Sequence, residues 1–250
     1  VSVFGVGYDG VDVAAAIEHG IPVTHTPDVL TDDVADLAMG LVLSVGRTIP
    51  QADKFVRAGQ WPSGPMALGR KVSGARLGIV GLGRIGKAIA QRASGFGMSI
   101  AYTARSEKAD SGFKFFPSAA ELAANVDFLV VITPGGAGTK HLINAEVLKA
   151  LGARGFLINV ARGSVVDEEA LIAALQSGTI AGAGLDVFAN EPNVPEALWT
   201  LSNVVLTPHM ASATTETRQA MADLAFANMQ AGTSGQPLRT PVPECAALLK

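Results

Sequence analysis

A doubly wound parallel α/β sheet is the fold class this sequence predicts, and three observations carry it. Short apolar runs alternate with helical patterns from residue 77 to residue 206, the rhythm of strands joined by crossover helices. Most of those runs stop at a glycine, a proline or a polar residue, as strand ends do. At one of them, Leu77, Ile79 and Val80 lead into Gly81-x-Gly83-x-x-Gly86, and an Ala-rich helical pattern follows from Ile85 to Phe96. The chain has 250 residues, 48% apolar and 16% charged, enough to bury a substantial core in one or two domains.

Val1 to Val6 predicts a buried strand, Gly5 to Gly10 a turn, Val11 to His19 a short helix stopped by Gly20, and Ile21 to His25 a second strand. That is one βαβ unit, too small to stand alone. Thr26-Pro27-Asp28 reads as a hinge, because proline biases its neighbour away from helix. Thr31 to Ala58 is the longest helical pattern, with Thr31 as N-cap and Asp32 and Asp33 in the first turn. Its middle, Ala35 to Val45, is apolar nearly all round and predicts burial on several sides. A helix of that kind outside a sheet domain often packs against a second subunit, so a homodimer is expected. Gly59 to Gly74 is a loop carrying Trp61.

Further strands are expected at Met98–Thr103, Asp127–Ile132, Phe156–Val160, Ile180–Asp186 and Val204–Leu206. Ser118-x-x-Glu121 is a capping box for a short helix to Ala124. Helices are also expected near Ala145–Leu151, from Asp167 to Gly178, and from Thr214 to Ala231. The domains are therefore drawn as 1–27 with 215–250, and 28–214, with 31–74 as a dimerisation helix and arm.

Net charge is −3 without a basic cluster, which argues against nucleic acid and anionic membrane surfaces as partners. One cysteine, Cys245, excludes an internal disulfide, and no cysteine–histidine spacing points to a metal. With no signal-peptide pattern and no apolar stretch of spanning length, a cytoplasmic location is expected.

The turn at 81–86 has a mechanism in this context. Gly81 permits the turn, Gly83 lets backbone amides approach a pyrophosphate, and Gly86 lets helix and strand pack closely. Strand, glycine turn and helix together make a Rossmann dinucleotide site, with Leu82, Arg84 and Ile85 as contacts between the glycines.

Ligands of open α/β sheets lie beyond the carboxyl ends of strands. There the chain places Asn159-Val160-Ala161-Arg162-Gly163, Asp186 to Pro192 with Glu191, and Thr207-Pro208-His209. Taken singly, Arg162 is as well explained as a partner of Glu168, Glu191 as a solvated turn residue, and His209 as a loop histidine. Together they suit reduction of a carbonyl beside a carboxylate. Arginine offers a planar fork for the acid, histidine a proton near neutral pH, and a carboxylate on the imidazole orients it and favours its protonated form.

These motifs, in this order, resemble those of the D-isomer-specific 2-hydroxyacid dehydrogenases across essentially the whole chain. The resemblance implies that Arg162 binds the substrate carboxylate and carbonyl, that His209 is the proton donor and that Glu191 pairs with it. It implies that Asp186 lies near the nicotinamide and that the Gly5-Val6-Gly7 turn offers backbone amides to the substrate, so Val6 and Gly7 join Arg162 and His209 as substrate contacts. Thr133, Pro134 and Thr139, with Val160 and Ala161, would line the cofactor cleft, although a strand-end turn explains the first three equally. The family has further βα units before the first strand, so residues 1–27 and 215–250 look like the remnant of a flavodoxin-like substrate domain. From that departure either the sequence is truncated or the missing units went unrecorded, and the chain as written is expected to be weak or inactive.

NAD-binding members place an acid about 20 residues beyond the glycine turn, on the adenosine ribose. No acid stands between Tyr102 and Ser106; Ala104-Arg105-Ser106 occupies the place, with Glu107 and Lys108 behind. Arg105 and Ser106 suit a 2′-phosphate, so NADP(H) is expected to be preferred, with NAD(H) possible. Within the family this feature resembles NADPH-dependent glyoxylate/hydroxypyruvate and hydroxyphenylpyruvate reductases, implying a small 2-oxo acid as substrate. Two alternatives stay open at this point. One is another dehydrogenase of the fold, such as a phosphite or formate type, although Glu191 counts against formate. The other is a dinucleotide-sensing, corepressor-like interaction protein.

Overall fold

In the computed structural model, which describes residues 1–249 and the side chains of residues 1–248, the chain forms two compact units. One comprises Val1–Val34 with the chain from Ser212 onward, and the other Ala35–Ala211. The sequence-based boundaries were 27/28 and 214/215. Lys250, included there in the C-terminal segment, lies outside the described residues.

The larger unit holds one seven-stranded parallel sheet: β1 (Arg76–Val80), β2 (Ser99–Thr103), β3 (Lys114–Phe115), β4 (Phe128–Val131), β5 (Phe156–Asn159), β6 (Gly182–Leu185) and β7 (Val204–Leu206). Their order across the sheet is β3-β2-β1-β4-β5-β6-β7. Progression reverses between β1 and β4, which pair in register from Leu77 with Phe128 to Val80 with Val131. A crevice opens at such a reversal, outside the carboxyl ends of the strands. The central strands are buried along their length because both sheet faces are covered. On one face Leu122, Leu148 and Leu171 pack with Leu129, Leu157 and Leu185 in a single core.

The smaller unit contains α1 (Val13–Glu18), where the sequence predicted Val11–His19 between two strands. Those strands shrink to isolated bridges, Ser2 parallel to Thr24 and Thr24 antiparallel to Pro241. Pro22 lies two residues before Thr24 and Pro241 is itself a bridge partner, and a proline has no N–H with which to extend a ladder. Val23, Val242 and Cys245 form a small core of their own.

The long helix expected over 31–58 is two helices, α2 (Thr31–Gly46) and α3 (Ile49–Arg57). Thr48 turns left-handed at φ 52°, and Pro50 sits in the first turn of α3. A proline there is tolerated only where a helix starts, so the chain had to break before it. Thr31 is the first helical residue rather than the cap. The burial predicted for the middle of α2 holds, with Ala35, Ala38, Leu41, Val42 and Val45 all inside. Its cause lies within this chain, however, because Leu41 and Val45 lie directly over Gly184 and Gly182 of β6.

Beyond the glycine turn come α4 (Arg84–Gly95), α5 (Ala119–Ala123), α6 (Ala145–Leu151), α7 (Glu168–Gln176), α8 (Glu196–Trp199) and α9 (Thr215–Thr233). Ser118 caps α5 by accepting the Glu121 N–H, as expected, but its hydroxyl also bonds the Glu121 carboxylate. Asn144, Asp167 and Thr214 cap α6, α7 and α9 in the same way. The two-residue β3 and the four-residue α8 are too short to leave a periodicity.

Candidate active site

The glycine turn has the geometry that its spacing demands. Gly81 adopts φ 106°, and a side chain there would stand 2.9 Å from the Ile132 carbonyl oxygen. At Gly86 a Cβ would lie 2.2 Å from the Gly81 carbonyl oxygen, so helix and turn touch backbone to backbone. Around Gly83 a Cβ would meet nothing within 4 Å. The turn is therefore closed on the protein side and open on the other. Gly83 stands at the N-cap of the 12-residue α4, and no side chain caps the helix. An open face at an uncapped helix start fits a dinucleotide pyrophosphate. Leu82 contributes only backbone there, since its side chain is buried in the core. Arg84 is exposed and Ile85 half-buried.

At the end of β2, Ala104 is half-buried while Arg105 and Ser106 are exposed. Tyr102, fully buried, accepts a hydrogen bond from the Lys108 N–H at 2.6 Å. Its phenol thus closes the base of the loop that presents Arg105 and Ser106. Across the reversal, the Thr133 amide lies against Gly81 and the Pro134 carbonyl accepts from the Thr139 hydroxyl at 2.8 Å.

Three adjacent strands, β5, β6 and β7, end in the loops that carry Arg162, Glu191 and His209. In the first loop Asn159 accepts from the Ala161 N–H and donates to the Arg162 carbonyl, so one amide side chain folds the turn. Val160 and Ala161 bury their side chains. The Arg162 guanidinium donates to the Ala161 carbonyl at 2.7 Å. Glu191 and His209 meet directly, Oε2 to Nδ1 at 2.6 Å. With a carboxylate as acceptor, Nδ1 carries the proton and Nε2 is the nitrogen left to face a substrate. The histidine side chain is 50% exposed and the glutamate 33%.

His209 is held in a left-handed conformation at φ 49°, uncommon for a side-chain-bearing residue. The restraint comes from Asp186. Its fully buried carboxylate accepts from the Thr207 hydroxyl and the Met210 N–H on one oxygen and from the Ala211 N–H on the other. Its backbone carbonyl takes the His209 N–H at 2.8 Å. The Asp186 side chain thus holds the histidine loop. No group of three or more histidine, cysteine, aspartate or glutamate residues able to hold a metal occurs among the described residues.

Residues 39–211 match the NAD binding domain of the D-isomer specific 2-hydroxyacid dehydrogenases. The chain belongs to that family. Among relatives of this dehydrogenase, the hydroxyphenylpyruvate reductase of Plectranthus scutellarioides is 54% identical over 97% of the chain and 77% of the relative. A glyoxylate/hydroxypyruvate reductase A of Arabidopsis thaliana is 52% identical with the same coverage. The structure is similar, at TM-score 0.94 and 54% identity, to an NADPH-dependent glyoxylate/hydroxypyruvate reductase of Sinorhizobium meliloti in complex with NADP and malonate. That match covers 98% of this chain and 77% of the other.

Of the remaining expected contacts, Val6 and Gly7 lie in the dehydrogenase's smaller unit, where the Val6 carbonyl is bonded by His25 Nδ1 at 2.8 Å and the Gly5 carbonyl by the Thr26 N–H. Trp61 opens a short 3₁₀ turn and is 67% exposed. From the sequence, Tyr102, Asn159 and Gly163 carry no role of their own, and Glu168 enters only as an alternative partner of Arg162. A buried tyrosine before a polar loop and an asparagine at a strand end are the signals available for the first two. For the approach of Gly163 to the Phe188–Ala189 peptide no local signal exists.

Proposed function

We propose that this dehydrogenase reduces a small 2-oxo acid of the glyoxylate or hydroxypyruvate kind to the D-2-hydroxy acid, preferring NADPH and accepting NADH. The observation that carries this reading is the 2.6 Å His209–Glu191 pair at the same sheet edge as Arg162. When bound, NADPH supplies the reducing equivalent to the carbonyl carbon. Protonation of the carbonyl oxygen falls to His209 Nε2. Glu191 holds the ring by Nδ1 and so fixes its orientation. The Arg162 fork receives the substrate carboxylate and polarises the carbonyl. Asp186 keeps the histidine loop in the conformation this requires.

Arg105 and Ser106, with no carboxylate at the end of β2, support the NADPH preference. The test is the rate of NADPH and NADH oxidation with glyoxylate, hydroxypyruvate and hydroxyphenylpyruvate. Binding of NADPH without turnover on any 2-oxo acid would sink the reading.

A homodimer is part of this proposal. An open cleft of about 960 Å³, lined by Leu37, Leu41, Phe55, Met66 and Trp199 among others, lies beside the arm on which Trp61 and Leu68 are exposed. A monomer mass by light scattering at micromolar concentration would refute it. No helix among the described residues is long and apolar enough to cross a membrane. The cytoplasm is the compartment we propose, because a lone buried cysteine suits a reducing environment. Recovery of the protein in an oxidising compartment on fractionation would overturn this.

A further inference from the structure

Two of the three strand-end loops touch through their backbones. Gly163, the residue after Arg162, is buried, and its φ lies outside the left-handed region, so glycine is required there by space alone. A Cβ at this position would fall 1.9 Å from the Phe188 carbonyl carbon and oxygen and 2.4 Å from the Ala189 nitrogen. The Phe188–Ala189 peptide thus lies flat on the arginine loop. It is gripped at a second point by Glu168, the first residue of α7, whose Oε2 accepts the Ala189 N–H at 3.1 Å. One residue earlier, the Phe188 N–H donates to Glu191 Oε1 at 3.0 Å. The other oxygen of that same carboxylate bonds His209. A line of contacts therefore runs from Gly163 and Glu168, through the Phe188–Ala189 peptide and the adjoining Phe188 N–H, to Glu191 and the imidazole.

We propose that Gly163 and Glu168 are positioning residues for the Glu191–His209 pair: together they fix the Phe188–Ala189 peptide, whose neighbouring amide aims the glutamate at the histidine. The inference rests on the reading of His209 as proton donor. A carboxylate anchored by one oxygen on a fixed amide has its second oxygen directed without further ordering, the preorganisation that proton transfer rewards. Because Gly163 follows Arg162, the same contact sets the arginine loop and the glutamate loop in one register. The charged groups on the elements around His209 are Arg162, Glu168, Asp186 and Glu191, and only Glu191 bonds its ring directly among the contacts described.

The test compares three variants with the parent enzyme, using kcat, oxo-acid KM, the pH profile of kcat/KM and NADPH affinity by fluorescence. Gly163→Ala pushes the peptide away; kcat is expected to fall about 100-fold, the scale of an ångström-sized misplacement. The loss should fall on kcat rather than on the oxo-acid KM, while NADPH affinity stays within about twofold. Glu168→Met keeps length but removes the acceptor, and should lower kcat about tenfold with the oxo-acid KM again little changed. Glu168→Gln keeps an acceptor oxygen and should restore most of the activity and the parent pH profile.

A folded Gly163→Ala enzyme and a Glu168→Met enzyme that both keep the parent kcat and pH profile would overturn the inference. So would a Glu168→Gln enzyme as impaired as Glu168→Met. If Gly163→Ala does not fold by circular dichroism, the two Glu168 variants decide alone. His209→Gln, measured alongside, separates the layers: retained kcat in that variant removes the proton-donor reading itself, whereas unaltered Gly163 and Glu168 variants remove only the positioning role.

Discussion

Two stretches along the carboxyl edge of the sheet are built on opposite principles. At β1 the site is six consecutive residues, and it works through backbone: an open glycine face, an uncapped helix start, and two glycines excluded from carrying a side chain by contacts of 2.9 and 2.2 Å. At β5 to β7 the site is made of side chains from three loops far apart in sequence, held by a buried aspartate, an asparagine turn and a glutamate bonded at both oxygens. The difference teaches that a backbone site tolerates identity changes and fails on volume. The side-chain site fails on identity.

Four substitutions break or sharpen this contrast. The largest effect belongs to His209→Gln, which removes the proton donor while leaving the glycine turn untouched. We expect kcat to fall by about 10²–10⁴ with NADPH affinity preserved, measured in the steady state and by fluorescence titration. Should kcat survive, the acid–base end is not where we place it.

Gly86→Ala is the converse. Its methyl would collide with a backbone oxygen that cannot swing aside, and we expect a loss of about 1–3 kcal/mol in stability together with weaker NADPH binding. Thermal denaturation and a dinucleotide titration check both halves. A variant that binds NADPH like the parent would show that the turn has slack that the 2.2 Å contact denies.

Third is Arg105→Ala, on the exposed loop closed by Tyr102. Loss of a charge-assisted contact of about 1.5–3 kcal/mol should raise the NADPH KM roughly tenfold or more, with the NADH KM nearly unchanged. Equal effects on the two cofactors would remove Arg105 from the ribose phosphate.

The smallest effect lies at the far edge of the sheet. Arg76 forks onto Asp127 at 2.9 and 3.1 Å, and this hydrogen bonding holds the Asp127 carboxyl below the usual carboxylate range. With the folded value depressed, the stabilisation is present above the unfolded carboxylate value and is lost as pH falls through the folded one. Arg76 is half exposed, so screening keeps the contribution below about 1 kcal/mol. Asp127→Asn should therefore melt slightly lower than the parent at neutral pH and converge with it in acid. Parallel melting curves across that range would deny the pair any role.

Read in order, the residues themselves determined most of the scaffold. Alternation of strands and helices, the caps at Ser118, Asp167 and Thr214, and the glycine turn are all local, and each follows from side-chain volume, backbone freedom or a nearby donor. The long helix failed where a local rule was overridden in the reading, at Pro50, and the terminal strands failed at Pro22 and Pro241. Arg162, Glu191 and His209 were legible because strand ends of a parallel sheet share an edge, so topology alone brings them side by side. What only the tertiary structure decided is how they are held. Asp186 as the anchor of the histidine loop, Gly163 beneath the Phe188 peptide and Glu168 gripping it depend on contacts between segments distant in sequence, and no local spacing encodes those. The same holds for α2, whose apolar surface the sequence announced and whose covering, the glycines of β6, only packing could supply.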